Sequence, residues 1–191
     1  HTGLELDGST LGLVGFGRIA RSVARFALAF NMEVAAYDPY LNADDFPAGV
    51  IRHETLEGVV AEADVISIHV PLTEDNIGLF GSELLAAMKP GATLINTARG
   101  GLVDLAALES ALDSQHLFGA GLDVTDPEPL PPDHPLLARR DVVVTPHVAA
   151  GTAGAKRRIF ESAFGQVMEV LNGRRPGNLV NAEVWDRQTA R

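Results

Sequence analysis

The chain has 191 residues, 46% of them hydrophobic and 21% charged, enough apolar material for one well-buried domain and too much for a disordered or fibrous chain. Cysteine is absent, which excludes disulfide staples, thiolate metal sites and a cysteine nucleophile and suits a reducing compartment; no apolar run reaches the roughly 18 residues of a membrane helix. The net charge of −10 is uneven, −13 over residues 1–150 and +3 over 151–191, and so acidic a body argues against nonspecific nucleic-acid binding, which needs clustered cations.

Short apolar runs alternate with helical patterns along the chain. Strands are expected at 10–15, 33–37, 64–70, 92–97, 119–124 and 141–145, and helices at 18–30, 56–63, 82–88, 105–114 and 153–171. Runs such as VISIHV, ATLINTA and DVVVTP are apolar on both faces, as strands covered by helices on each side must be, so the sheet is expected to be parallel. Right-handed crossovers then give a doubly wound α/β fold with its ligand crevice at the carboxyl ends of the strands. Two Pro-rich loops, 126–135 and 174–178, punctuate the second half, and the latter marks the expected end of a domain at 175. The basic residues Lys156, Arg157, Arg158, Arg174 and Arg175 read as the solvated polar face and end of the last amphipathic helix rather than as a nucleic-acid patch.

The first strand runs into Gly15, Phe16, Gly17, Arg18, Ile19 and Ala20, a G-x-G-x-x-A turn that opens a helix. In such a turn the first glycine bends sharply, the second lets backbone approach a pyrophosphate, and the third small residue lets helix and strand pack closely. The helix N-terminus supplies free amides and a favourable dipole for that anion. Asp38 ends the second strand 21 residues after Gly17, the spacing at which a carboxylate accepts ribose hydroxyls and repels a 2′-phosphate. Together these predict a Rossmann-type sheet that binds NAD rather than NADP, although Asp38 also suits an Asx turn before Pro39.

Three later strand ends carry polar residues and no metal-ligand motif. Arg99 lies between a strand end and Gly100–Gly101, where its planar fork can grip a carboxylate or form a surface ion pair. Asp123 ends the fifth expected strand, with Glu128 following, and His147 ends the sixth. A histidine suits acid/base work near neutrality, and a nearby carboxylate such as Glu128 would fix its tautomer. His69 also ends a strand, but its apolar run favours a packed, hydrogen-bonded role. With a nicotinamide site, the set describes an arginine that clamps an acid, a histidine that moves the proton of an alcohol or ketone, and a cofactor that moves the hydride.

The stretches TLGLVGFGRIA, YDPY, DVISIHVPLTEDNIGLF, MKPGATLINTARGGLVD, GAGLDVTDPEPLP and VVVTPHVAAGT resemble the D-isomer-specific 2-hydroxyacid dehydrogenases, and in that family's order. The resemblance implies hydride transfer between NAD(H) and a small D-2-hydroxy or 2-keto acid, with Arg99 on the substrate carboxylate, His147 as acid/base and Glu128 as its partner. It further implies Asp123 near the nicotinamide carboxamide and cofactor contacts around Pro71, Thr73, Thr97 and Ala98, with turn capping the alternative for Thr73. A homodimer is implied as well. The sequence departs from the pattern at Ala20, where glycine is more usual, and at Ala149 and Ala150, which replace a Gly-rich pair after the histidine.

In that family the cofactor domain is inserted into a substrate domain, so residues 1–175 are expected to form the dinucleotide-binding domain and 176–191 a return segment toward a substrate domain outside this chain. Such a fragment is expected to bind NAD and turn over poorly. An NAD-sensing, corepressor-like protein on the same scaffold is the competing reading.

Overall fold

The computed structural model describes residues 3–189, which divide into two compact units, one ending at His147 and one starting at Val148. The first is an α/β unit around a seven-stranded, all-parallel sheet of order β3-β2-β1-β4-β5-β6-β7. Its strands are β1 (Thr10–Val14), β2 (Glu33–Tyr37), β3 (Val50–Arg52), β4 (Val65–Ile68), β5 (Thr93–Asn96), β6 (Gly119–Leu122) and β7 (Val142–Val144). Helices α1 (Arg18–Ala29), α2 (Leu56–Glu62), α3 (Ser82–Ala87), α4 (Leu105–Asp113) and α5 (Pro135–Ala138) connect them. The order reverses between β1 and β4, which opens a crevice at the carboxyl ends of those two strands.

The apolar runs become strands because one sheet face is covered along its length and the other over β1 and β2, whereas over β5 to β7 that second face stays open and Val143 is exposed. On one face Val59 and Val60 of α2, Leu84 and Leu85 of α3 and Leu108 of α4 bury against Val14, Ile66, Ile68, Leu94 and Leu122. On the other, Ala20, Ala24 and Ala27 of α1 lie over Leu11, Leu13, Val34 and Ala36. Small alanines on α1 let helix and sheet approach closely. Capping chemistry starts the helices where expected: Thr55 Oγ1 accepts from the Gly58 amide at 3.1 Å and Asp104 Oδ1 from the Ala106 amide at 2.9 Å.

The structure differs from the sequence reading in detail. The sheet has seven strands rather than six, because Val50–Arg52 pairs with β2 at the sheet edge. Three residues, one of them arginine, make too short an apolar run to announce a strand. The 126–135 loop ends in α5, one turn that starts with His134 Nδ1 accepting from the Leu136 amide, with Pro135 in the first turn.

The second unit contains α6 (Ala153–Leu171) and α7 (Ala182–Thr189). Thr152 caps α6 by accepting from the Ala155 amide, and Gly173, at φ +70°, follows its end. Phe160, Phe164, Val167, Met168 and Leu171 form one exposed apolar stripe along it, with the Phe160 and Phe164 rings stacked. Helix α7 lies in the stretch expected to be only a return segment. Among the described residues no helix is long and apolar enough to cross a membrane.

Asp64 fastens the start of the sheet, accepting from the Thr10 amide at 2.9 Å and from Lys89 Nζ. Partial burial alone would raise its carboxyl pKa, but the Lys89 ammonium and the Thr10 amide outweigh it and hold the value below the ordinary 3.8. Its stabilisation is therefore complete above pH 3.8 and lost as pH falls through the folded-state value. Asp64→Asn should cost about 1 kcal/mol near neutrality. In urea titrations the gap from the wild type should shrink as pH is lowered past that point.

Candidate active site

The glycine turn after β1 is built for backbone approach. Gly15 has φ +86°, and a Cβ there would lie 2.8 Å from Val70 Cγ1 and 3.0 Å from the His69 carbonyl, so geometry and space both demand glycine. Phe16, fully buried, stacks on Phe46 at 4.9 Å and anchors the turn from below, while Arg21 Nε donates to its carbonyl. Gly17 is the exposed N-cap of α1, with no side chain capping the helix, no acid in its first turn and open space where a Cβ would stand. Exposed Arg18 and Ile19 flank it, and buried Ala20 seats the helix on the sheet. Uncapped amides at a 12-residue helix with no repelling charge fit a pyrophosphate.

Asp38 adjoins this turn. Its Oδ2 accepts from the Phe16 amide and its Oδ1 from the Tyr40 amide, at 2.9 and 3.0 Å. The carboxylate thus makes the Asx turn and at the same time ties the end of β2 to the glycine loop. After β4, Asn76 accepts from the Thr73 amide at 2.7 Å and donates to the Pro71 carbonyl at 2.8 Å, so Thr73 occupies the turn-capping position that its sequence context allowed. His69 hydrogen-bonds Ser67 Oγ through Nε2 at 3.0 Å, and burial holds it below the ordinary 6.5, a packed neutral histidine.

The remaining groups stand just past the ends of β5, β6 and β7, three neighbouring strands. His147 and Glu128, 19 residues apart in sequence, meet with Nδ1 2.8 Å from Oε1, both about half exposed. The backbone at His147 is left-handed, φ +54°, and its amide donates to the carbonyls of Asp123 and Thr145. Asp123 is buried, and Thr145 Oγ1 donates to its Oδ1 at 2.6 Å. Exposed Arg99 donates from Nη1 to the Ala98 carbonyl at 2.6 Å, with exposed Thr97 beside it. A cavity of about 500 Å³ opens beside Asp123, Glu128, Leu130, Thr145 and His147. A larger one, about 980 Å³, lies over the open face of these strands at Ile95, Phe118 and Val143, and neither the histidine nor its partner lines it. Among the described residues no cluster of three His, Asp or Glu side chains is arranged to hold a metal ion.

Sequence reasoning passes over the groups that hold these loops. The pattern marks Thr145 only as part of a strand, yet it orients a buried carboxylate. Gly100 reads as flexible backbone beside Arg99, whereas a Cβ there would fall 2.0 Å from the Thr125 carbonyl, so the Arg99 loop lies directly on the backbone leading to Glu128. A Thr two residues before a strand-end histidine is a weak signal for the first; a contact between main chains leaves no signal for the second.

Residues 1–149 match the D-isomer specific 2-hydroxyacid dehydrogenase, NAD-binding domain. The chain belongs to this family. Glyoxylate reductase from Korarchaeum cryptofilum is 42% identical over 95% of this chain and 55% of its own length, and (S)-sulfolactate dehydrogenase from Chromohalobacter salexigens is 48% identical over 90% and 56%. Among solved structures, the TT0316 protein from Thermus thermophilus superposes with a TM-score of 0.87 at 49% identity, over 94% of this chain and 56% of that one. D-lactate dehydrogenase with NAD+ from Lactobacillus jensenii gives 0.87 at 34% identity, over 94% and 58%. The chain thus spans about half the length of the curated relatives it matches, and the half it spans is the family's NAD-binding domain.

Because all three atoms that a Cβ at Gly100 would meet, Thr125 C and O and Asp126 N, belong to main chain, a methyl group cannot be absorbed by a side-chain rotation. Gly100→Ala in this NAD-binding domain should lose about 3 kcal/mol or more, the upper end of overpacking costs, read as a lower urea midpoint.

Proposed function

We propose that this chain supplies the cofactor-binding and acid/base half of an NAD-dependent D-2-hydroxyacid dehydrogenase acting on a small 2-hydroxy or 2-keto acid. The observation that carries the reading is the His147–Glu128 pair at the end of β7, on the same edge of the sheet as the uncapped glycine turn and Arg99. Residues 1–175 are taken as the dinucleotide-binding domain, with 176–191 a return segment toward a substrate domain outside the chain.

Each residue's role follows from its chemistry. Gly15, Gly17, Arg18 and Ile19 frame the pyrophosphate at the start of α1. Asp38 receives the adenosine ribose hydroxyls, its negative charge disfavouring a 2′-phosphate. Asp123 faces the nicotinamide carboxamide, and Pro71, Thr73, Thr97 and Ala98 line the cofactor's path. When bound, the dinucleotide supplies or accepts the hydride.

Arg99 releases the Ala98 carbonyl and turns its guanidinium to the substrate carboxylate as a bidentate clamp. Glu128 receives Nδ1–H of His147, which leaves Nε2 as the nitrogen that exchanges a proton with the substrate oxygen. In the reducing direction Nε2–H protonates the oxygen of the keto group; in the oxidising direction neutral Nε2 takes the proton of the hydroxyl. Glu128 stabilises the imidazolium that each cycle passes through, and both side chains are exposed enough to be reached. A cytoplasmic location fits the cysteine-free composition.

The test is NADH oxidation by the native-length protein against a panel of 2-keto acids. His147→Ala should lower turnover by about 10²- to 10⁴-fold, the range of a general acid/base group, with NADH affinity retained. Activity unaffected by the substitution would remove His147 from the mechanism, and tight NADH binding with no turnover on any acid would assign the scaffold to sensing.

A homodimer is part of the same proposal. The exposed stripe of Phe160, Phe164, Val167 and Leu171 is an apolar surface of the kind that soluble monomers seldom leave uncovered. Sedimentation at micromolar concentration should show a dimer, and Phe160→Glu with Phe164→Glu should shift it toward monomer.

A further inference from the structure

The last residue of β5, Asn96, is an amide with no solvent exposure at the end of a strand otherwise made of Thr, Leu and Ile. Its main chain is paired on both sides, with Ile68 of β4 and Leu122 of β6. An amide placed there loses its hydration and costs about 1–3 kcal/mol if left without partners, so an aliphatic residue would serve the sheet better. Both of its polar ends are used on the turn that follows. Oδ1 accepts from the Ala98 amide at 3.0 Å, and Nδ2 donates to the Arg99 carbonyl at 2.8 Å.

Those two bonds fall on the residue before the Arg99 side chain and on Arg99 itself. The Arg99 carbonyl also accepts from the Leu102 amide at 3.3 Å, and Gly100 rests on the Thr125 carbonyl. The backbone of Arg99 is therefore held on three sides while its side chain is exposed, a fixed base with a movable head. A long side chain magnifies any shift at its Cα, and a displacement of about 1 Å in a substrate-positioning group can cost as much as 10²-fold in rate.

We infer that Asn96 is a positioning residue for substrate recognition, its buried amide setting where Arg99 presents its guanidinium to the substrate carboxylate. The inference rests on the reading of Arg99 given above. Other side chains of similar size cannot make both bonds. Leucine offers neither, and a carboxylate offers the acceptor for Ala98 but sets an oxygen against the Arg99 carbonyl. A protonated carboxyl, by contrast, restores the donor.

That difference supplies a readout that a purely structural role would not move. In the native-length protein, N96D should raise KM for the 2-keto acid about 10-fold or more, the equivalent of one hydrogen bond of about 1.4 kcal/mol, with the Kd for NADH unchanged. The KM ratio of N96D to wild type should fall as pH is lowered and the new carboxyl takes up a proton. Asn96→Ala, which adds no charge to the interior, should raise KM at every pH without that recovery. Arg99→Lys, measured alongside, reports on the underlying reading. If Arg99→Lys raises KM while both Asn96 variants keep the wild-type KM, or lose only stability and active fraction, the positioning role is overturned and the role of Arg99 stands. If Arg99→Lys leaves KM unchanged, Arg99 does not bind the carboxylate and the inference falls with it.

Discussion

Burial of the central strands governs where chemistry can sit in this molecule. Along β1 every residue is buried, and along β4 and β5 helices α2, α3 and α4 close one face completely. A polar side chain in the middle of such a strand has no water and must find a partner within the protein, as Ser67 does in His69. Past the last paired residue the constraint lifts. There main-chain groups no longer find a neighbouring strand, and side chains from separate strands converge over a common crevice. The glycine turn, Asp38, Arg99, Glu128 and His147 all occupy that zone, each within a few residues of a strand end.

The crevice is held by bonds between loops as well as by bonds within them. Asp38 joins the end of β2 to the turn after β1, the His147 amide joins β7 to β6 through the Asp123 carbonyl, and Gly100 lays the β5 loop on the β6 loop. Asn96 and Thr145 add side-chain brackets beneath the same loops. The exposed ends of Arg99, Glu128 and His147 therefore stand on backbone that is fixed from several directions. Preorganisation of this kind removes the need to order the groups when a ligand arrives.

Much of this could be read from the residues in order because the relevant signals are local. The spacing of Gly15, Gly17 and Ala20 after an apolar run, and the carboxylate at Asp38, lie within one strand, helix and strand. The doubly wound sheet followed from runs with no alternation, and the structure bears it out, with β3 added at an edge where three residues give no pattern. Thr73 had two readings, and only coordinates could show Asn76 bound to it. Asn96 and Gly100 escaped for a different reason. Gly100 meets the main chain of the loop after β6, which leaves no mark in the sequence, and Asn96 bonds only two and three residues ahead, a local turn pattern that an asparagine ending an apolar run does not by itself announce.

The contact between Gly100 and the Thr125 carbonyl contains no side chain from either loop. Substitutions around it that reshape a pocket do not enter the contact, so the two loops can keep their spacing while the surfaces they carry diverge. Heredity can then vary what a descendant recognises without re-solving how its arginine and glutamate are placed. A joint made of main chain alone separates the part of the site that must stay constant from the part that is free to change.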